Sequence, residues 1–207
     1  MFLWNDFFKE DARFQKPGLL LQALQSLSRE RVVCFAAAST LHACAPFLSL
    51  ERTGRYNPYH KDLLSLVSES AHVSWQAACT AVSPGALLDL ASSIEELLSE
   101  QPSDVRKKCN EDDLLLAGLA SMRSALGEEP IVNSALAAKR AYEAVALWFM
   151  ATDPTTPKTL IGRAAILAAE RAVSHCLEEV QYQERCLTFL CSPRNATLPQ
   201  QADLLRL

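Results

Sequence analysis

The stretch Asn133 to Met150, NSALAAKRAYEAVALWFM, constrains the fold more than any other, because its apolar residues cover most of a helix surface. Its polar side chains gather at Lys139, Arg140 and Glu143. At helical spacing Ala137, Ala141, Ala144 and Trp148 share one side, and Ala138, Tyr142, Val145 and Phe149 share the adjoining one, so two neighbouring faces require cover. Such a helix belongs at the centre of a bundle. Small alanines let partner helices come close, while Trp148 and Phe149 anchor one end of the core.

The rest of the chain agrees with an all-α protein. Alanine and leucine dominate an apolar fraction of 49%, only 6 glycines are present, and β-branched runs are missing, a balance that favours helix over sheet. A length of 207 residues suits one domain with a sizeable core. We expect a single-domain multi-helix bundle of seven to nine helices around the central helix near 133–150, with an internal joint at Gln101-Pro102-Ser103.

Prolines and caps divide the chain into helices. Residues 3–14 form a short amphipathic helix with Leu3, Trp4, Phe7 and Phe8 seeking cover. Pro17 opens a helix carrying Leu20, Leu21, Leu24 and Leu27, and Ser28 caps the next, Arg29 to Leu48. There Val32, Val33, Phe35, Ala36, Leu41 and Ala45 lie on apolar faces, and Pro46 kinks or stops the helix. Asn57-Pro58 starts a run to about Val82 that buries Leu63, Leu66, Val67, Val73 and Trp75. Ser83-Pro84 starts another to about Glu100, using Leu87, Leu90, Ile94, Leu97 and Leu98. Asn110 caps a helix that Gly127 ends. Beyond the breaker Asp153-Pro154-Thr155-Thr156-Pro157, a run to Cys191 is long for a globular helix, so it forms either one helix or two with a bend near His175. Leu204, Leu205 and Leu207 in the tail suggest that the C-terminus packs on the bundle.

No residue pattern identifies a reaction. The chain has no Walker loop, dinucleotide glycine fingerprint or nucleophile elbow. Glu69 and His72 are three apart, the spacing of carboxylate-bridged di-iron bundles, but that site needs a second copy, and neither His42 nor His175 has a glutamate three before it. The pair reads better as a surface pair. His42 with Cys44, and His175 with Cys176 and Glu179, suggest zinc or a thiol nucleophile only weakly; the neighbours His175 and Cys176 point about 100° apart on a helix and do not easily share one metal. The seven cysteines, Cys34, Cys44, Cys79, Cys109, Cys176, Cys186 and Cys191, include no CxxC pair; they fit small core residues in a reducing cytoplasm better than disulfides or redox centres. Neither a metal nor another cofactor is expected.

A net charge of −4 over 20 basic and 24 acidic side chains argues against direct nucleic-acid binding. The first residues, MFLWNDFFKEDARF, lack the basic region of a signal peptide, and no apolar run reaches the ~18 residues of a membrane span. The expectation is a soluble cytoplasmic protein without a membrane partner. Charge is nonetheless distributed unevenly. From Asp62 to Asp104 seven acids (Asp62, Glu69, Asp89, Glu95, Glu96, Glu100 and Asp104) occur without one Lys or Arg. That segment is either a solvated face or a negative surface for a basic partner. Just before it stand Arg52, Arg55, Tyr56, Tyr59, His60 and Lys61, the aromatic and arginine mix of contact hot spots; the tyrosines otherwise fold inward.

ERVVCFAAASTLHACAPFL, then RYNPYHKDLLSLVSE, then NSALAAKRAYEAVALWF and IGRAAILAAERAVSH resemble, in order and texture, the all-helical immunity proteins of bacterial polymorphic and contact-dependent toxin systems. They are also similar to a bacterial helical family of unknown function. The likeness covers about residues 28 to 175 and assigns no motif residue by residue. It implies a non-enzymatic inhibitor that binds the active site or an exosite of a cognate toxin, such as a nuclease. Partner contacts would then fall on Asp89, Glu95, Glu96 and Glu100, with Arg52, Arg55, Tyr56 and Tyr59 beside them. A helical adaptor using the same faces is the alternative, followed by a helical enzyme with a site that no motif marks.

Overall fold

The structure is a computed structural model that describes residues 17–52, 58–80, 82–100, 110–152, 178–192 and 197–207. Eight helices and no strand occur among the described residues: α1 (Pro17–Gln25), α2 (Arg29–Arg52), α3 (Pro58–Cys79), α4 (Pro84–Glu100), α5 (Asn110–Leu126), α6 (Pro130–Thr152), α7 (178–191) and α8 (Gln201–Leu205). The all-α class and most boundaries follow the sequence reading. The expected helix at 3–14, the joint at 101–103 and the 157–177 part of the long last run lie outside the described residues.

The expected faces of α6 are covered: Ala137, Ala138, Ala141, Ala144 and Val145 are all buried, while the side chains of Trp148 and Phe149 lie outside the described residues. The helix enclosed on every side, however, is α2, in which every residue from Val32 to Thr40 is buried. It touches α3, α5, α6 and α8. Two apolar clusters share it. One joins Ala43, Cys44 and Phe47 to Val67, Ile94, Leu115 and Ala141; the other joins Val32, Phe35 and Ala38 to Leu24, Trp75, Tyr182, Leu190 and Leu204. Leu204 is fully buried, so the C-terminal tail does pack on the bundle.

Small side chains set the helix spacing. Ala36, Ala120 and Ala137, one each from α2, α5 and α6, meet in a buried cluster of their own, which lets three backbones converge. Ser134 Oγ donates to the Val32 carbonyl at 3.0 Å and lies 2.8 Å from Ser124 Oγ, so a chain of hydroxyls ties the same three helices. Thr40 Oγ1 reaches both the Ala36 and Ala117 carbonyls. Gly118 marks the closest approach of α5 to α3, since a Cβ there would meet Ser70 Oγ at 2.7 Å.

Local signals account for the ends. Ser28 accepts from the Arg31 N–H at 3.5 Å and starts α2. Gly127 adopts φ 90° after α5, with its N–H on the Ser124 carbonyl and that of Glu128 on Arg123, the paired bonds that close a helix around a left-handed glycine. Two ends depart from expectation. Pro46 does not stop α2, which runs on to Arg52; burial of the neighbouring Phe47 holds the helix through the one backbone bond that proline removes. Helix α3 ends at Cys79 rather than near Val82, because the Thr80 hydroxyl and N–H both take the Gln76 carbonyl and close the last turn.

By length and mean hydropathy (1.4) Arg29–Leu48 is long and apolar enough to cross a bilayer, against the expectation that no stretch is. Polar residues interrupt its apolar run, yet alanine, valine, cysteine and phenylalanine keep the average high. Burial inside the protein of 67% of that window matches the composition of an enclosed core helix.

Candidate functional site

The acidic segment occupies the exposed faces of two consecutive helices that pack on each other. Asp62 and Glu69 lie seven residues apart on α3, and Asp89 and Glu96 seven apart on α4, so each pair shares one helix side. All four are exposed. Among the described residues none of them enters an ion pair. Glu95 differs, since Arg123 of α5 holds its carboxylate at 2.7 Å. Arg123 thereby neutralises part of the segment that the sequence shows as uniformly acidic. Leu88, 51% exposed, stands among these acids on α4.

The second expected contact patch is not brought onto this surface by any described atom. Arg52 closes α2 and Tyr59 lies in the first turn of α3, but their side chains, like that of Glu100, lie outside the described residues; so do Arg55, Tyr56 and Asp104 altogether. The surface-pair reading of Glu69 and His72 agrees with both being exposed.

The structure also joins two residues that the sequence placed in separate groups. His42 on α2 directs Nδ1 to Glu179 Oε2 at 2.5 Å, across 137 positions of sequence. Glu179 is 1% exposed and His42 34%. Tyr182, one turn beyond Glu179, stacks on the imidazole with ring centroids 3.7 Å apart and planes 9° apart. Gln183 Nε2 donates to Glu179 Oε1 at 2.8 Å and to the Ala138 carbonyl of α6 at 3.0 Å, while its own Oε1 has no hydrogen-bond partner among the described residues. Glu179, Tyr182, Gln183, Cys186 and Leu190 form the buried stripe of α7. Three polar residues on an otherwise apolar helix side were the available sequence signal.

Chemically, a carboxylate behind an imidazole can orient a general base. The thiol nearest in sequence, Cys44, is unsuited to be its nucleophile. Burial, followed by the charge of Glu179, pushes that thiol up to about 12, and its Sγ is spent on the Thr40 carbonyl. Burial likewise raises the Tyr182 hydroxyl far above the ordinary phenol range. Among the described residues no group of three His, Cys, Asp or Glu side chains could hold a metal. The His42–Glu179–Gln183 contacts form a polar clamp that docks α7 onto α2 and α6.

A second clamp links α5 to α6. Arg140 Nη1 donates to Asp113 at 2.7 Å and to Glu143 at 2.8 Å. The exposed acids of α3 and α4 take no part in these two clamps.

No family model, no curated protein and no solved structure matches the chain.

Proposed function

We propose that the protein is a non-enzymatic, cytoplasmic immunity-type inhibitor that binds a cognate bacterial toxin through the acidic faces of α3 and α4. One observation carries the reading: Asp62, Glu69, Asp89 and Glu96 are exposed and in no ion pair among the described residues. Unneutralised carboxylates on neighbouring helices project a negative field that attracts a basic protein. A nuclease is such a protein, because its cleft must attract phosphates, and carboxylates from an inhibitor can occupy those phosphate positions. Leu88 supplies apolar contact within the same patch. The reading needs no cofactor, nucleic acid or membrane. Arg52, Arg55, Tyr56 and Tyr59 remain the proposed second contact.

The test is a triple charge reversal, Glu69→Lys, Asp89→Lys and Glu96→Lys, measured against the toxin encoded beside the gene. Association should slow by at least about 10-fold at low salt, the salt dependence should weaken, and cells should lose protection. Stability should change by no more than about 0.5 kcal/mol per site, since exposed charges contribute little to folding. Unchanged affinity would remove this face as the binding site. A gene neighbourhood without a toxin would favour the adaptor, which would use the same carboxylates on another basic protein.

A further inference from the structure

One cleft shares no residue with the acidic face or with either clamp. It is open, holds about 360 Å³, and its walls include Arg29, Glu30 and Val33 of α2, Ala77 and Ala78 of α3, and Ala125 of α5. That volume falls at the lower end of the roughly 300–1,000 Å³ of small-molecule sites. The three helices pack on one another. At the cleft α2 begins, whereas α3 and α5 end.

Arg29 and Glu30 give the cleft one charge of each sign. The Arg29 head is held in place: its Nη2 donates to the Ala125 carbonyl at 3.0 Å, and it lies so close over Gly127 that a Cβ there would come within 2.9 Å of Nη2. That bond leaves further N–H donors on the guanidinium. The backbone N–H of Glu30 and then Ser28 hold the Glu30 carboxyl below its ordinary range, so it is ionised at neutral pH. Neighbours on a helix point about 100° apart, and among the described residues neither charge enters an ion pair. On the α3 side Thr80 takes the Gln76 carbonyl; the carbonyls that follow have no partner within the helix and form the negative end of its dipole. Val33, Ala77, Ala78 and Ala125 make the remaining wall apolar.

A simple anion in this cleft would meet the Glu30 carboxylate, and a simple cation would meet the Arg29 guanidinium. A small molecule with both charges and an apolar body answers every wall. We propose that the cleft binds a free α-amino acid with an apolar side chain, its carboxylate on Arg29, its ammonium between Glu30 and the carbonyls that end α3, and its side chain against Val33, Ala77, Ala78 and Ala125. A guanidinium suits the carboxylate because it can donate two parallel bonds to it. The site is independent of the toxin-binding reading and needs no toxin for its test.

The experiment is isothermal titration calorimetry of the full chain with L-leucine, and with two analogues that each lack one charge: isoamylamine, without the carboxylate, and isocaproate, without the ammonium. The expected result is saturable binding of L-leucine at one site per chain, with each analogue weaker by at least about 10-fold. Glu30→Gln and Arg29→Lys, conservative changes at exposed positions, should each weaken L-leucine by at least about 10-fold while circular dichroism melts stay unchanged. Absence of saturable binding at millimolar L-leucine would overturn the proposal. So would an analogue that binds as well as L-leucine, or an unchanged affinity in either variant, since the ligand would then not be read by both charges of this cleft.

Discussion

Replacing His42 by Phe isolates what the clamp between α2 and α7 contributes. Phenylalanine keeps an aromatic ring to stack on Tyr182, now 3.7 Å from the imidazole, but removes the nitrogen that lies 2.5 Å from Glu179. Among the described residues the Glu179 carboxylate, 1% exposed, would retain only the Gln183 amide. Leaving a buried polar group without its partner costs about 1–3 kcal/mol, and more where the group is charged. Because His42 is 34% exposed, water can enter at its edge, and the expected loss is about 2–3 kcal/mol. For a chain of this length that lowers the Tm by about 5–10 °C. Glu179→Leu removes the carboxylate instead and leaves a surface-reaching imidazole that water can satisfy. The double variant, with neither polar group left without its partner, should be more stable than the sum of the single losses by about 1–3 kcal/mol. Urea titrations of the four proteins measure the cycle. Losses that add to within about 0.5 kcal/mol would mean that the two side chains do not communicate, and the clamp would be refuted.

Four further outcomes follow from the same geometry. Gly118→Ala should destabilise by about 1–3 kcal/mol despite alanine's better helix propensity, because its Cβ would meet Ser70 Oγ at 2.7 Å; Ser70→Ala should restore most of the loss in denaturant titrations. Ala141→Phe should cost about 1–3 kcal/mol by overfilling the larger cluster, to which Ala141 belongs, and an unchanged melt would contradict its burial. Stability should fall as pH rises above about 9: burial raises the Cys186 thiol to about 11 and the Cys44 thiol to about 12, so between those values and the ordinary thiol range the unfolded chain binds fewer protons than the folded one. Urea midpoints from pH 8 to 11 check the sign, and Cys186→Ala should flatten the slope. Finally, Arg123→Ala should leave folding nearly unchanged, because its bond to Glu95 joins two exposed side chains, yet it should speed association with a basic partner by freeing that carboxylate; a slower association would exclude Glu95 from the contact.

The helices and their apolar faces are written in local sequence. Alanine and leucine at helical spacing, Pro17, Pro58 and Pro84 at helix starts, and Gly127 after Leu126 act within a few residues, through backbone sterics and terminal hydrogen bonds, so they were legible without a partner in view. The burial of Ala137, Ala141 and Val145 was legible for the same reason. The exposure of Asp62, Glu69, Asp89 and Glu96 follows from their places opposite the apolar stripes of α3 and α4. Which helix is enclosed follows from packing, because α2 and α6 both carry two apolar faces and the choice rests on the neighbours each receives. Packing alone joined His42 to Glu179, and it alone took Glu95 out of the acidic face by bringing Arg123 from another helix. Such pairings leave no periodic trace. They depend on the register in which whole helices pack, and that register is set by the summed fit of small side chains such as Ala36, Ala120 and Ala137 rather than by any local pattern.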